Sequence, residues 1–228
     1  MMNIESNEEV ISMAKLEQGI AMMQEGKWEQ AAQLLTEAIQ EEPNNPLGYV
    51  NFANLLDVLG EAERAVTFYK KALEIDDTLA TAYYGLGTIC YEQEQFEDAK
   101  VMFEKAMKCG LQSGDVYFML GFTYVELGKD LMALPHLQRA MELNDSDAEA
   151  AFQYGLCLAR LEHVKEAKAV FEKVLELDPT HTDALYNLGV AYAFEENNEK
   201  ALEFFKQAVK LQPDHFLAGN GIRLLEQD

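Results

Sequence analysis

Four histidines and three cysteines are the side chains best suited to metal binding or nucleophilic chemistry in this chain. None of them stands at a ligand spacing. The segment Asp178-Pro179-Thr180-His181-Thr182-Asp183 gathers two carboxylates and an imidazole. A metal site needs paired ligands at short fixed intervals, and no second pair accompanies this one. It is expected to be a polar turn in which Thr182 or Asp183 caps the next helix. His136 and His163 are scattered, while His181 and His215 fall 34 residues apart. Cys90, Cys109 and Cys157 are odd in number and widely separated. That usage fits a reducing compartment and small packing groups better than nucleophiles. No G-x-x-x-x-G-K-[ST] phosphate loop occurs. The expectation is a non-enzymatic chain with no catalytic residue, metal or cofactor.

Charge narrows the partner class. The 228 residues carry 18 Lys+Arg against 40 Asp+Glu, a formal net charge of −22. Nucleic-acid affinity comes mainly from Lys and Arg neutralising phosphates, so a nucleic-acid binder is excluded. Anionic lipid is disfavoured for the same reason. Apolar runs fall far short of a membrane span. The first residues, Met1-Met2-Asn3-Ile4-Glu5-Ser6, show neither a basic nor an apolar leader region. With 49% apolar and 25% charged residues, the chain is expected to be globular, soluble and cytoplasmic.

Any site must be positioned by a repeat. Ala31, Ala65, Ala99, Ala133, Ala167 and Ala201 are spaced 34 residues apart. Gly19, Ala53, Gly87, Gly121, Gly155 and Gly189 keep the same interval twelve residues earlier. With Ser12 as position 1, these are positions 20 and 8. Position 24 is large: Leu35, Tyr69, Phe103, Leu137, Phe171 and Phe205. Six units run without insertion over 12–45, 46–79, 80–113, 114–147, 148–181 and 182–215. Residues 1–11 extend the first helix, and 216–228 form a C-terminal capping helix. Positions 4, 7, 8 and 11 make one helical stripe; positions 20, 24 and 27 make another, so each unit is a predicted helix pair. Gly26, Gly60 and Gly128 at position 15 fit a helix end that needs positive φ. One pair cannot bury its apolar face alone, but stacked neighbours can. The predicted fold is all-α, a solenoid of six tandem helix-turn-helix units.

The pattern resembles the tetratricopeptide repeat family, whose signature is W-x2-L-G-x2-Y, then A-x3-F, then P. Tyr117-x2-Leu120-Gly121-x2-Tyr124 and Ala133-x3-Leu137 follow it with Tyr in place of Trp. The resemblance implies a right-handed α-solenoid that binds protein partners, usually on its concave face. A sub-class of the family grips terminal carboxylates with Lys, Asn and Arg at set positions. Asn51 matches one of these, but Leu16, Ile20, Thr81 and Gly85 stand where other ligands are needed. Chaperone-tail binding is therefore not expected.

If positions 4, 7, 8 and 11 face the core, positions 2, 5, 6, 9, 12 and 13 point away from it. Their acids are Glu17, Asp57, Glu92, Asp115, Glu126, Glu149 and Asp183, and their one base is Arg160. Position 5 carries Tyr84, Phe118, Phe152 and Tyr186 in four successive units. These aromatics serve either repeat packing or a ligand. Met119, Phe122, Tyr91, Val190 and Phe194 add apolar surface, and Asn187 adds an amide. The expected site is an acidic, aromatic groove for a protein or peptide that is apolar, basic or both. The expected function is an interaction scaffold. The alternatives are an escort covering an apolar segment of a client, or a regulatory subunit of an enzyme complex.

The ends should differ from the middle. Lys15 and Gln18 replace the Tyr, Phe or Leu of later units, as suits a helix edge in water. Ser6-x-x-Glu9 reads as a capping box. The last helix should be weakened by Gly219 and Gly221. Pro135, inside a second helix, should kink it or delay its start.

Overall fold

The computed structural model describes residues 14–227. The Ser6–Glu9 capping box and the extension over 1–11 lie outside them. Among the described residues every element is helical. First helices are α1 (14–24), α3 (Pro46–Val58), α5 (Ala80–Glu92), α7 (Gly114–Glu126), α9 (Ala148–Arg160) and α11 (Thr182–Phe194). Second helices are α2 (Trp28–Glu41), α4 (Ala62–Ile75), α6 (Phe96–Lys108), α8 (Asp130–Leu143), α10 (Val164–Leu177) and α12 (Asn198–Leu211). The chain closes with α13 (Phe216–Leu225). It divides into two compact units, one ending at Gln112 and the other starting at Ser113.

Within each unit a first helix packs on its own second helix and on the second helix before it. Having two neighbours, it needs two apolar stripes, and the predicted stripe is only one of them. Position 3 is buried as well, at Gly48, Ala82, Val116, Ala150 and Ala184. So is position 10, at Leu55, Ile89, Thr123, Cys157 and Ala191. The position-24 side chains Tyr69, Phe103 and Phe171 are the largest fully buried ones among the described residues.

Close approach depends on small residues facing those large ones. Phe205 lies between Gly189 of α11 and Gly221 of α13. A methyl group added at Gly221 would meet its ring at 2.6 Å, and one at Gly189 would come closer still. Gly221 is therefore the residue that lets α13 dock, not a weak point. Gly219 has open space around it and carries no such role.

At helix ends, the delayed start expected of α8 is not seen and the capping expectation fails. Pro135 sits inside α8, yet α8 starts at the same repeat position as α2, α4, α10 and α12. Pro135 falls in the second turn, so it removes a single backbone bond without moving the start. α11 is capped by His181 rather than by Thr182 or Asp183, and α13 is capped by His215. His181 Nδ1 accepts from the Ala184 amide and His215 Nδ1 from the Ala218 amide, each at 3.2 Å. A neutral imidazole presents one acceptor nitrogen, which does the work of a capping carboxylate. At the other edge, Lys15 bonds Glu37 and Glu41 at 2.9 and 2.6 Å, as befits a helix face turned to water.

The turn between paired helices is left-handed in all six repeats. Gly26, Gly60 and Gly128 have φ of 70°, 76° and 68°, while Glu94, Glu162 and Glu196 hold 59°, 63° and 59°. A side chain costs roughly 1–2 kcal/mol in this conformation, partly offset by the entropy glycine adds to the unfolded chain. A carboxylate is also unfavourable at a helix C-terminus. Glu94→Gly, Glu162→Gly and Glu196→Gly should each stabilise the fold by about 0.5–1 kcal/mol in urea unfolding. A loss of stability would mean that the Glu side chains make contacts worth more than the backbone strain.

Candidate functional site

The face left after packing is narrower than predicted. Position 5 is occupied with its own repeat. Tyr84 lies 5.6 Å from Phe103, Phe152 5.8 Å from Phe171, and Tyr186 5.7 Å from Phe205, measured between ring centroids. Phe152 is buried in the core and also meets His181 at 4.4 Å, so it is not available to a ligand. Tyr186 is half-buried against His215. These aromatics anchor the first helix to the second, a role the sequence left undecided.

In the first unit the predicted residues Tyr84, Tyr91 and Glu92 share α5. Tyr91 packs edge-on against Phe96 at 5.4 Å, and Glu92 is exposed. The Tyr69 hydroxyl on α4, pushed up by burial and by the charge of Asp57, stays protonated and donates to Asn54 Oδ1 on α3 at 2.6 Å. Asp57 is itself raised from its ordinary value of 3.8, first by burial and then by Glu92. The folded chain therefore favours the protonated acid. As pH rises through 3.8 the unfolded chain ionises first, so this group subtracts stability from there upward and its full cost stands at neutral pH. Asp57→Asn should raise Tm at pH 7, by an amount that shrinks as pH is lowered toward 3.8. An equal shift at both pH values would show that ionisation is not the cause.

In the second unit the remaining predicted residues lie in rows across α7, α9 and α11. Asp115, Glu149 and Asp183 occupy position 2 and are all exposed. Glu149 accepts from Gln153 at 2.8 Å, and Asp183 faces His215 Nε2 at 3.1 Å. Position 9 supplies Phe122, Leu156 and Val190. Phe118 and Phe122, one turn apart on α7, stack at 5.6 Å, with half-buried Met119 beside them. Position 13 holds Glu126, Arg160 and Phe194. Arg160 Nε bonds Asp130 Oδ1 at 2.9 Å, so the one base of these rows is already neutralised. Asn187 donates to its own helix at Asp183 O, 2.8 Å away.

Two cavities open beside Val190. One, of about 240 Å³, is lined by Ala159, Phe171, Asn187 and Phe194 together with Glu162. The other, of about 280 Å³, is lined by Tyr186, Phe205, Leu217 and Leu224. Sequence reasoning passed over Leu217, Leu224 and Glu162. Carrying positions 2 and 9 into α13 would have found both leucines. A larger hollow of about 440 Å³ lies over α4 in the first unit, with Tyr49, Phe68, Lys70 and Lys71 at its edge, apart from these rows.

The residues with reactive potential are placed for packing. Burial pushes the Cys157 and Cys90 thiols up, away from the thiolate form. Cys157 is buried with its sulfur 3.3 Å from the Asp130 carbonyl, while Cys90 and Cys109 are half-buried. Among the described residues no three His, Cys, Asp or Glu side chains are grouped to hold a metal ion. No described helix is long and apolar enough to cross a membrane.

Paired helices at a 34-residue period, small residues at 8 and 20 and a left-handed turn between the pair define a repeat protein of the tetratricopeptide class. The chain belongs to the tetratricopeptide repeat family. Family models described as tetratricopeptide repeat match residues 22–86, 80–108 and 114–147, and a middle tetratricopeptide-like domain of a cilia- and flagella-associated protein matches 132–221. It is similar to YrrB of Bacillus subtilis. The crystal structure of that protein superposes with a TM-score of 0.80 at 49% identity, covering 84% of this chain and 99% of that one. YrrB is described there as having an unusual peptide-binding site. A curated sequence of YrrB aligns at 50% identity over 41 residues, 18% of this chain and only 20% of that protein. Pseudomonas aeruginosa PilF shares the fold at a TM-score of 0.81 and 19% identity, covering 94% of this chain and 97% of that one.

Proposed function

We propose that this chain is a non-enzymatic interaction module that binds a segment of a partner protein, apolar and basic, along the position-2, -6, -9 and -13 rows together with Phe118 of position 5. Phe118, Met119 and Phe122 supply apolar contact. Asp115, Glu149 and Asp183 select for Lys or Arg, and within the first unit taken by itself Glu92 beside Tyr91 has the same character. The observation that carries the reading is the charge of the rows: three exposed carboxylates in three successive repeats, with Arg160 already bound to Asp130. Fields of like sign add over such a surface, attracting cations and repelling acidic segments. The peptide-binding description of YrrB supports the reading by similarity. No cofactor enters it, and the cytoplasm is the compartment we assign.

Selecting a random peptide library on the immobilised chain tests this. Enriched sequences should combine Lys or Arg with large apolar residues. Enrichment of acidic sequences would refute it. The exposed Phe194 and Leu224 favour a second reading, an escort for apolar client segments. Enrichment of apolar sequences without bases would bring that reading forward.

A further inference from the structure

We infer that the groove centred on Val190, between α9, α11 and α13, seats the apolar anchors of a basic amphipathic segment, with α13 serving as a wall of the binding site. This inference rests on the reading above and deepens it by giving the segment a place and a chemistry.

α13 turns large apolar side chains outward. Leu217 and Leu224 are 53% and 63% exposed, and across the groove Phe194 and Val190 are 74% and 41% exposed. The two leucines hold positions 2 and 9, so they continue the rows of the preceding helices. Their outward direction is enforced by the docking of α13. Ala218 is buried, His215 caps the helix and lies tilted 5.4 Å from Tyr186, and Gly221 rests on Phe205. The exposed leucines are thus held over a cavity of about 280 Å³. The companion cavity of about 240 Å³ lies on the other side of Val190. Each has room for one large apolar side chain.

The charge around the groove specifies the rest of the ligand. Among the described residues Glu162 is the only charged one lining either cavity. Beyond Phe194 the C-terminal end of α11 presents its negative pole. Glu195 there is held by Lys168 at 2.5 Å, whereas Glu196 makes no ion pair among the described residues. Glu162 and Glu196 are two of the residues held in left-handed turns. The nearby bases are Lys168, which is paired with Glu195; Lys165, at the outer margin beside Phe194; and Arg223, which bonds Asn220 at 2.7 Å. An apolar side chain seated beside Phe194 and followed by Lys or Arg would meet Glu162 and Glu196.

The probe is a fluorescein-labelled 16-residue amphipathic peptide of leucine and lysine, with photo-leucine replacing two leucines. Its controls replace every Lys by Glu or every Leu by Ser. Anisotropy titrations use the full chain. The leucine–lysine peptide should bind at least tenfold more tightly than either control, and photo-cross-links should map to α11 and α13. The triple variant Phe194→Ser/Leu217→Ser/Leu224→Ser changes only exposed residues. It should keep the melting temperature and lose at least tenfold in affinity. Unchanged affinity in this variant, with loss in Phe118→Ala/Phe122→Ala, would overturn the location while leaving the proposed function standing. Equal binding of the Glu control would overturn both. Should the triple variant unfold, cross-links to α11 and α13 in the unmodified chain still support the location, and cross-links elsewhere refute it.

Discussion

Phe205→Ala should be among the most damaging single substitutions in the chain, costing about 3–5 kcal/mol. Phe205 is 3% exposed, faces Tyr186 and fills the contact between Gly189 and Gly221. Removing the ring takes away what α11 and α13 both rest on, and glycines cannot fill the space. Repeat proteins contact mainly their sequence neighbours, so the damage should stay local. Hydrogen exchange should show protection lost in α11, α12 and α13 while amides of α3 to α6 keep theirs. Uniform loss over the whole chain would mean that the two compact units unfold as one.

The second large effect concerns binding. Phe118→Ala together with Phe122→Ala should weaken a selected apolar–basic peptide by at least about 2 kcal/mol, roughly 30-fold. The two rings stack on one another on α7, with Phe118 also touching the small cluster around Leu137 and Cys157. Some loss of stability is therefore expected as well. Melting and helical content should nevertheless show a folded chain at the assay temperature. Unchanged affinity in a folded variant would remove α7 from the proposed surface.

The helix pairs were legible because their determinants are local and periodic. A small residue every 34 positions and a large one sixteen residues after the first small one recur six times, and a turn glycine between them three times. The neighbours of each helix were not legible in the same way. A single stripe was read where two exist, because positions 3 and 10 hold residues such as Ala, Gly, Cys and Thr that look neutral in sequence. Position 5 remained open until ring distances placed Phe152 on Phe171 and His181. The histidine caps were missed because imidazole rarely replaces Asp or Ser at a helix start. Glu94, Glu162 and Glu196 hid the left-handed turns of three repeats, since a charged residue at that position reads as solvated surface. The groove beside Val190 was half visible: its residues on α11 were singled out, while α13 was taken for a cap.

The salt dependence of peptide binding tests the central claim most directly. A peptide selected on the chain would be titrated at 0.1 M and 1 M salt, between which the Debye length falls from about 10 Å to about 3 Å. Individual exposed ion pairs are worth only about 0–1 kcal/mol, so no single carboxylate should decide the outcome. If an acidic surface selects the ligand and apolar contacts hold it, affinity should fall with salt yet remain measurable at 1 M. Affinity that is flat or rises with salt would contradict the account, leaving the carboxylates of these rows as a solvated coat.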